Sequence, residues 1–223
     1  MKTLIVVPAF NEQDSIASVI SDLKKHGYKE ILVVDDGSTD LTKLISQKEK
    51  VKVVNHIVNR GLGAALGTGF EYARKNNFQA VVTFDSDGQH KAESLKALLD
   101  PIAKNLADVV IGSRLLKNLS EMPKDRLVIS YLGNILTYIL YGFISTDSQS
   151  GLRAFNKKAI NCITIKTDRM EVSSEFLKEI KRNKLRYKEV PIKPIYTEYS
   201  RASGQSNINS FNVALKMFLR LFR

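Results

Sequence analysis

The feature that most constrains the fold is an alternation of short apolar runs and helical patterns within the first hundred residues. The runs are rich in β-branched residues, which is typical of strands buried on both faces. The predicted strands span residues 4–7, 31–34, 51–55 and 80–84, and the predicted helices span 15–26, 39–47 and 63–76. This order predicts an α/β fold with a mostly parallel sheet, right-handed crossovers and flanking helices.

The second half of the chain is less regular. Further strands are predicted at 109–111, 151–155 and 188–192, with a helix at 173–183. No linker separates the two halves, so we expect a single domain over residues 1–207 and a short helical tail over 208–223.

Net charge and apolar patterning suggest a membrane surface as a partner. The formal net charge is +11, which favours polyanionic partners, but the chain lacks the sequence signature of a nucleic-acid-binding module. In the tail, apolar residues face one side and three cations the other, which is typical of a helix lying on anionic lipid; docking on the protein's own core is the alternative. Residues 127–144 are apolar but interrupted by polar residues, so an amphipathic helix is favoured over a transmembrane span.

The beginning of the chain predicts where the protein resides. Residues 1–10 contain too short an apolar run for the core of a signal peptide. We therefore expect a cytoplasmic protein that associates peripherally with the inner face of the membrane.

Polar and glycine-rich segments follow each predicted strand of the first half. They cover residues 8–12, 35–38, 59–63 and 85–90. In an open parallel sheet, ligands bind beyond the carboxyl ends of the strands. The sequence therefore predicts the functional site at this edge.

The segment after the fourth strand has the chemistry of a divalent-metal site. Asp85 and Asp87 alternate directly after an apolar run, and Gln89 adds a neutral oxygen. Mg²⁺ or Mn²⁺ commonly takes one or two carboxylates together with substrate phosphates. The alternative is an acidic turn or a helix cap.

Two further segments have both functional and structural interpretations. Asp35 and Asp36 end the second strand, and Asp36 is the preferred candidate for accepting hydrogen bonds from a nucleobase. Ser38 or Asp40 could instead cap the next helix. The glycines of residues 59–63 follow the third strand rather than the first, which argues against a dinucleotide-binding fingerprint.

Taken together, these segments resemble the family 2 glycosyltransferases of the GT-A fold. The resemblance covers residues 3–207 and rests on Pro-Ala-Phe-Asn-Glu (8–12), Asp-Asp-Gly-Ser (35–38), Asn-Arg-Gly (59–61) and Asp-Ser-Asp-Gly-Gln (85–89). It is strongest to the dolichyl-phosphate mannose and glucose synthase branch. That branch implies a Rossmann-like domain and an inverting transfer from a UDP- or GDP-sugar to a polyprenyl phosphate, with Mg²⁺ or Mn²⁺.

The resemblance also implies roles for individual residues. Asp87, Asp147 and Arg201 would be catalytic, Asp85, Asp87 and Gln89 would hold the metal, and Arg126 and Ser130 would hold the acceptor phosphate. The residues implied for donor binding are Pro8, Phe10, Glu12, Val34, Asp36, Asp85, Ser86, Asp87, Arg114, Arg201 and Asn207. Mannose synthases commonly carry lysine at the position of Asn207, so the base and the sugar of the donor stay open.

The acceptor determines whether the reaction needs a general base. A phosphate monoester is mostly dianionic at neutral pH, whereas a saccharide hydroxyl must lose a proton. Asp147, Glu171 and Glu175 are the candidate bases for transfer to a saccharide of a cell-surface polymer. A third hypothesis is an inactive nucleotide-sugar-binding or membrane scaffold protein, against which the intact Asp85, Asp87 and Gln89 argue.

Overall fold

A seven-stranded sheet forms the centre of the molecule, for which a computed structural model describes residues 1–117, 122, 124–193 and 195. The strands are β1 (Thr3–Ala9), β2 (Ile31–Asp35), β3 (Lys52–Asn55), β4 (Ala80–Thr83), β5 (Val109–Ser113), β6 (Arg153–Asn156) and β7 (Tyr187–Pro191). The helices are α1 (Ile16–Lys25), α2 (Thr42–Lys48), α3 (Leu62–Lys75), α4 (Leu95–Ala103), α5 (Lys124–Tyr141), α6 (Lys157–Cys162) and α7 (Val172–Arg182). A short 3₁₀ turn, Ala92–Ser94, precedes α4.

The strand order is β3-β2-β1-β4-β6-β5-β7. All neighbours pair in parallel except β6, which runs antiparallel to both β4 and β5, with Ala154 opposite Val82 on one side and Val110 on the other. The six remaining strands therefore end at one edge of the sheet. Because β6 is reversed, the loop that leads into it lies at that same edge.

Apolar side chains cover both faces of the sheet. One core lies under α1 and α4, and the other lies under α3, α6 and α7. In the second core the rings of Phe70, Phe155 and Phe176 contact one another, with centroids 5.0 to 5.5 Å apart. Burial of continuous apolar strands on both faces is the main stabilising contribution expected for such a sheet.

The predicted α/β class and mostly parallel sheet are confirmed. Every strand and helix predicted within the described residues occurs, with ends shifted by a few residues. The sequence interpretation did not include α4 or α6, nor the reversal of β6. The predicted tail of residues 208–223 and the domain boundary at 207 lie outside the described residues.

Helix α5 has its polar residues turned inward. Ser130 and Thr137 are buried, whereas Val128, Leu132 and Ile139 are exposed. This is the reverse of a helix that packs an apolar stripe on a core. Within the described part of the chain, no helix is long and apolar enough to cross a membrane.

Candidate active site

The carboxyl edge of the sheet brings together the segments that the sequence singled out. Asp35 and Asp36 lie at the end of β2, Asp85 and Asp87 just after β4, and Arg114 just after β5. The loop before β6 adds Asp147. The site thus draws on both halves of the chain, because β6 and β5 complete the sheet beside β4.

Asp85 and Asp87 form a pair of carboxylates with different environments. Burial, followed by repulsion from Asp85, raises the pKa of Asp87 to about 6. Burial also disfavours ionisation of Asp85, but its hydrogen bond to His90 and the charges of His90, Arg114 and Arg153 outweigh burial and lower its pKa. His90 Nε2 lies 3.3 Å from Asp85 Oδ2. Two carboxylates that repel each other in a partly buried turn are an arrangement that a cation relieves.

The surroundings of the pair fit a hard divalent cation. The Gln89 side-chain amide donates to Asp87 Oδ2 at 2.7 Å, so its neutral oxygen lies in the same turn. A Cβ at Gly151 would collide with the Asp85 carboxylate, so glycine there keeps space beside the oxygens. Among the described residues no group of three or more His, Cys, Asp or Glu side chains is placed to hold a metal. A metal bound here would therefore need oxygens from a substrate diphosphate or water.

Arg114 is held by Asp147. The carboxylate is fully buried and accepts hydrogen bonds from Arg114 Nε at 2.7 Å, Nη2 at 2.8 Å and the backbone N–H at 3.0 Å. This bidentate geometry fixes the plane of the guanidinium. Arg114 is thereby oriented at the end of β5, and Asp147 has both oxygens engaged.

Arg153 is a fully buried cation that interacts electrostatically with Asp85 and Asp147. Its Nη1 donates to the Ser173 carbonyl and its Nη2 to the Ser148 carbonyl. Burial lowers its pKa to about 10, although Asp147 and Asp85 favour the charged form. Its Nε has no hydrogen-bond partner among the described residues. The positive charge of Arg153 thus acts on both Asp85 and Asp147.

Asp36 is almost fully enclosed. Its oxygens accept hydrogen bonds from His56 Nδ1 at 2.6 Å and from the backbone N–H groups of Arg60 and Gly61. His56 Nε2 also lies 2.9 Å from Thr68 Oγ1. Asp36 therefore fixes the loop after β3, and its predicted contact with a nucleobase stays a prediction.

Five more of the residues implied for donor binding lie at the same edge. Pro8 and Val34 are buried in the sheet, Phe10 is exposed beyond β1, and Ser86 is buried in the Asp85 turn. Glu12 is half-buried and accepts a hydrogen bond from Ser15 Oγ at 2.6 Å. The structure places these groups together at the ends of β1, β2 and β4.

The inner face of α5 adjoins the Asp147 loop. Asn134 donates to the Thr146 carbonyl at 2.6 Å and accepts from the Ser148 N–H at 2.8 Å. Ser130 lies one turn earlier and Arg126 two turns earlier on this face, with Ser130 buried. The two residues implied for acceptor binding thus share the helix side that is hydrogen-bonded to the Asp147 loop.

The remaining candidates are distributed differently. Glu175 accepts hydrogen bonds from the N–H groups of Lys166 and Thr167 and from the Thr167 hydroxyl, so it holds the segment after α6. Glu171 precedes the first turn of α7. Arg201 and Asn207 lie outside the described residues.

Sequence reasoning did not single out His56, His90 or Asn134. His56 follows β3 at the carboxyl edge, so the strand-end rule could have found it. His90 directly follows the Asp-Ser-Asp-Gly-Gln segment. Asn134 counted only as a polar interruption of an apolar helix, and its hydrogen bonds depend on tertiary packing that no local pattern contains.

Comparison with known proteins identifies the family. The family model described as Glycosyl transferase family 2 matches residues 4–164. The chain belongs to glycosyl transferase family 2. It is 46% identical to an uncharacterised protein of Methanocaldococcus jannaschii, over 97% of this chain and 90% of the relative. It is 36% identical to the UDP-N-acetylglucosamine–dolichyl-phosphate N-acetylglucosaminyltransferase of Methanococcus voltae, over 96% of this chain and 94% of the relative.

Solved structures agree on the fold. Glucosyl-3-phosphoglycerate synthase from Mycobacterium tuberculosis, crystallised with Mn²⁺, uridine diphosphate and glucosyl-3-phosphoglycerate, has a TM-score of 0.72 at 18% identity, over 99% of this chain and 78% of that chain. At this identity the likeness supports the GT-A fold alone. The family match and the Methanococcus voltae relative make the chain a glycosyltransferase of the dolichyl-phosphate sugar transferase branch.

Proposed function

We propose that the protein transfers a sugar, with inversion, from a nucleoside diphosphate sugar to a polyprenyl phosphate at the inner face of a membrane. The observation that carries the proposal is the carboxyl edge itself. There the Asp85 and Asp87 carboxylates lie near Arg114, which Asp147 orients. The polar side of α5 is hydrogen-bonded to the loop that carries Asp147. The 36% identical relative from Methanococcus voltae is named for a dolichyl phosphate acceptor, which supports the lipid acceptor proposed here.

Metal and donor binding follow from the charges at this edge. Asp85, Asp87 and Gln89 would hold Mg²⁺ or Mn²⁺, which neutralises phosphate charge and favours departure of the diphosphate. Arg114, Arg153 and Arg201 add positive charge for the same leaving group. Pro8, Phe10, Glu12, Val34, Asp36, Ser86 and Asn207 would surround the rest of the donor.

The transfer step needs no proton removal from the nucleophile. An ionised phosphate oxygen of the acceptor attacks the anomeric carbon, the bond from that carbon to the diphosphate oxygen breaks, and the electron pair leaves with the nucleoside diphosphate. Attack opposite the leaving group inverts the configuration. Arg126 and Ser130 would hold the acceptor phosphate through a charge-assisted hydrogen bond and a hydroxyl.

The hydrogen bonds of two of the three candidate bases favour the phosphate acceptor over a saccharide hydroxyl. Asp147 binds Arg114 with both oxygens, and Glu175 binds a backbone segment. A hydroxyl acceptor would require one of these two carboxylates, or Glu171, to accept a proton. The role proposed for Asp147 is therefore to position Arg114.

The test is incubation of the full chain with a panel of UDP- and GDP-sugars, Mn²⁺ and a short polyprenyl phosphate. Because the Methanococcus voltae relative is named for UDP-N-acetylglucosamine, that donor begins the panel. The expected result is a glycolipid whose mass equals the polyprenyl phosphate plus one sugar. Transfer only to saccharides, or no transfer with any donor, would reject the proposal.

A further inference from the structure

We propose that the outward face of α5 is the surface that contacts a lipid bilayer. This outward face consists of Val128, Tyr131, Leu132, Ile135, Tyr138 and Ile139, all of which are exposed. The inference deepens the proposed function and rests on it for the lipid nature of the acceptor. The surface itself follows from the arrangement of this helix.

The outward face has the spacing of a continuous stripe. Its members recur three or four residues apart, so they lie on one side of the helix. Leu132 is 60% exposed and Ile139 is 65% exposed. Residues 127–144 contain no charged residue. A contiguous apolar surface of roughly 300 Å² matches the largest patch on a typical monomer, and such a patch is often a functional contact surface.

The inner face shows that the helix is not simply rotated away from a core position. Asn134 is bonded to the Thr146 carbonyl and the Ser148 N–H, which fixes the rotation of α5. Turning the apolar stripe inward would break these bonds and expose the buried Thr137 to solvent. The exposed stripe is therefore built into the fold.

The size and edges of the stripe favour a bilayer over a second copy of the chain. An 18-residue helix is about 27 Å long and about 10 Å wide, so one face offers roughly 300 Å², against about 800 Å² per partner in a stable interface. Tyrosines, which prefer the membrane–water boundary, occur at two positions of the stripe. Cations flank it: Arg126 lies near one end, and Lys181 donates to the Tyr141 and Gly142 carbonyls at the other.

The stripe lies close to the residues proposed to hold the acceptor phosphate, so a bilayer on it could deliver a lipid substrate. Its inner side is bonded to the loop that carries Asp147, which orients Arg114. A bilayer on the outward face would therefore lie one helix diameter, about 10 Å, from the residues proposed to hold the acceptor phosphate. An amphipathic helix at this depth lies in the headgroup region, where a polyprenyl phosphate presents its phosphate.

The chain has no tryptophan, so a single introduced tryptophan reports its own surroundings. Leu132→Trp places it on the outward face. Leu44→Trp is the matched control, because Leu44 is an exposed leucine on α2, which packs beside β3 at the opposite edge of the sheet from β7. Each full-length variant is mixed with vesicles of phosphatidylcholine and phosphatidylglycerol, with and without brominated acyl chains.

The expected result for Leu132→Trp is a blue shift of the emission and loss of intensity with brominated lipid, with neither change for Leu44→Trp. Ile135→Glu should weaken vesicle binding about tenfold or more, because it removes an apolar side chain that would enter the bilayer and adds a charge. Leu44→Glu, with the same change in charge, should bind as the parent does.

Three results would overturn the proposal. They are the absence of vesicle binding, binding without quenching at position 132, and a protein-concentration-dependent change at position 132 that shows a second copy on the stripe. Quenching does not depend on the donor, the metal or turnover. Failure of transfer to polyprenyl phosphate therefore rejects the proposed function while leaving this measurement intact, and the reverse also holds.

Discussion

Asp147 has the side chain of a possible catalytic base, but its contacts are those of a group that positions another residue. From sequence it was a catalytic candidate through family resemblance. In the structure three N–H groups of Arg114 point at its two oxygens, at 2.7 to 3.0 Å. Such a carboxylate acts on the reaction through the guanidinium that it orients.

A double-mutant cycle tests this positioning role. Asp147→Asn and Arg114→Ala should each reduce kcat about a hundredfold, because a displaced charge no longer meets the leaving diphosphate. The kcat of the double variant should be little lower than that of either single variant, since both changes disrupt the same Arg114–Asp147 pair. Multiplicative losses, or a pH–rate profile that loses its acidic limb only in Asp147→Asn, would contradict this prediction.

The unequal environments of Asp85 and Asp87 lead to a prediction about the metal. Asp87→Asn and Asp85→Asn should each abolish Mn²⁺ binding by calorimetry and Mn²⁺-dependent transfer, because they remove charge that compensates the cation. Asp14→Asn, which changes an exposed acid outside the site, is the control. Circular dichroism should show an unchanged fold in all three. Undiminished Mn²⁺ binding in either site variant would reject the metal assignment.

At the scale of elements, α5 combines two surfaces that sequence alone could not separate. The composition of residues 127–144 predicted an amphipathic helix, and that is confirmed. The direction of its faces was not predictable, because Ser130, Asn134 and Thr137 could equally have faced water. Asn134 turns inward because the Thr146–Ser148 backbone offers both a donor and an acceptor.

The polar face of α5 predicts acceptor selectivity. Arg126→Ala should raise the KM for polyprenyl phosphate about tenfold to a hundredfold, the loss expected for a charge-assisted contact to phosphate. The KM for the donor should change little. Arg182→Ala, which removes a half-exposed guanidinium from α7, provides the comparison. If Arg126→Ala transfers at a normal rate and KM, the saccharide-acceptor hypothesis becomes the better one.

The strands and their carboxyl-edge loops could be predicted because their signals are local. Buried β-branched runs and the turn residues after them specify β1, β2 and β4 together with Asp36, Asp85 and Asp87. The contacts of Asp36 with His56 and of Asp85 with Arg153 could not be predicted, since these partners come from other elements of the chain. Arg153 is buried on the reversed strand β6, and a period-two pattern does not reveal strand direction.

At the scale of the whole molecule, Asp108 connects β5, β6 and β7, the half of the sheet for which the sequence pattern is least regular. It lies just before β5 and accepts hydrogen bonds from Asn156 at the end of β6 and from Arg186 before β7. Lys158 lies 3.3 Å away. Burial disfavours its ionisation, but the hydrogen bonds from Arg186, Asn156 and Lys158 outweigh burial and lower the pKa of Asp108.

The lowered pKa of Asp108 sets the direction of a pH effect on stability. The stabilisation is complete above the pKa of aspartate in the unfolded chain, about 3.9, and is lost as pH falls through the lower folded value. Asp108→Asn should therefore reduce the free energy of unfolding at neutral pH by about 1 to 2 kcal/mol, a value discounted for the half-exposed Arg186. The deficit should stay constant down to about pH 5 and shrink below about pH 4.

Urea unfolding followed by circular dichroism, repeated across this pH range, measures the deficit. Glu71→Gln is the matched control, because Glu71 pairs with Lys75 at the surface of α3 and should show little change at any pH. A deficit that grows on acidification would mean that Asp108 is destabilising when ionised. In that case β5, β6 and β7 would be held by apolar burial and backbone pairing alone, and the Asp147 loop between α5 and β6 would not depend on this charge.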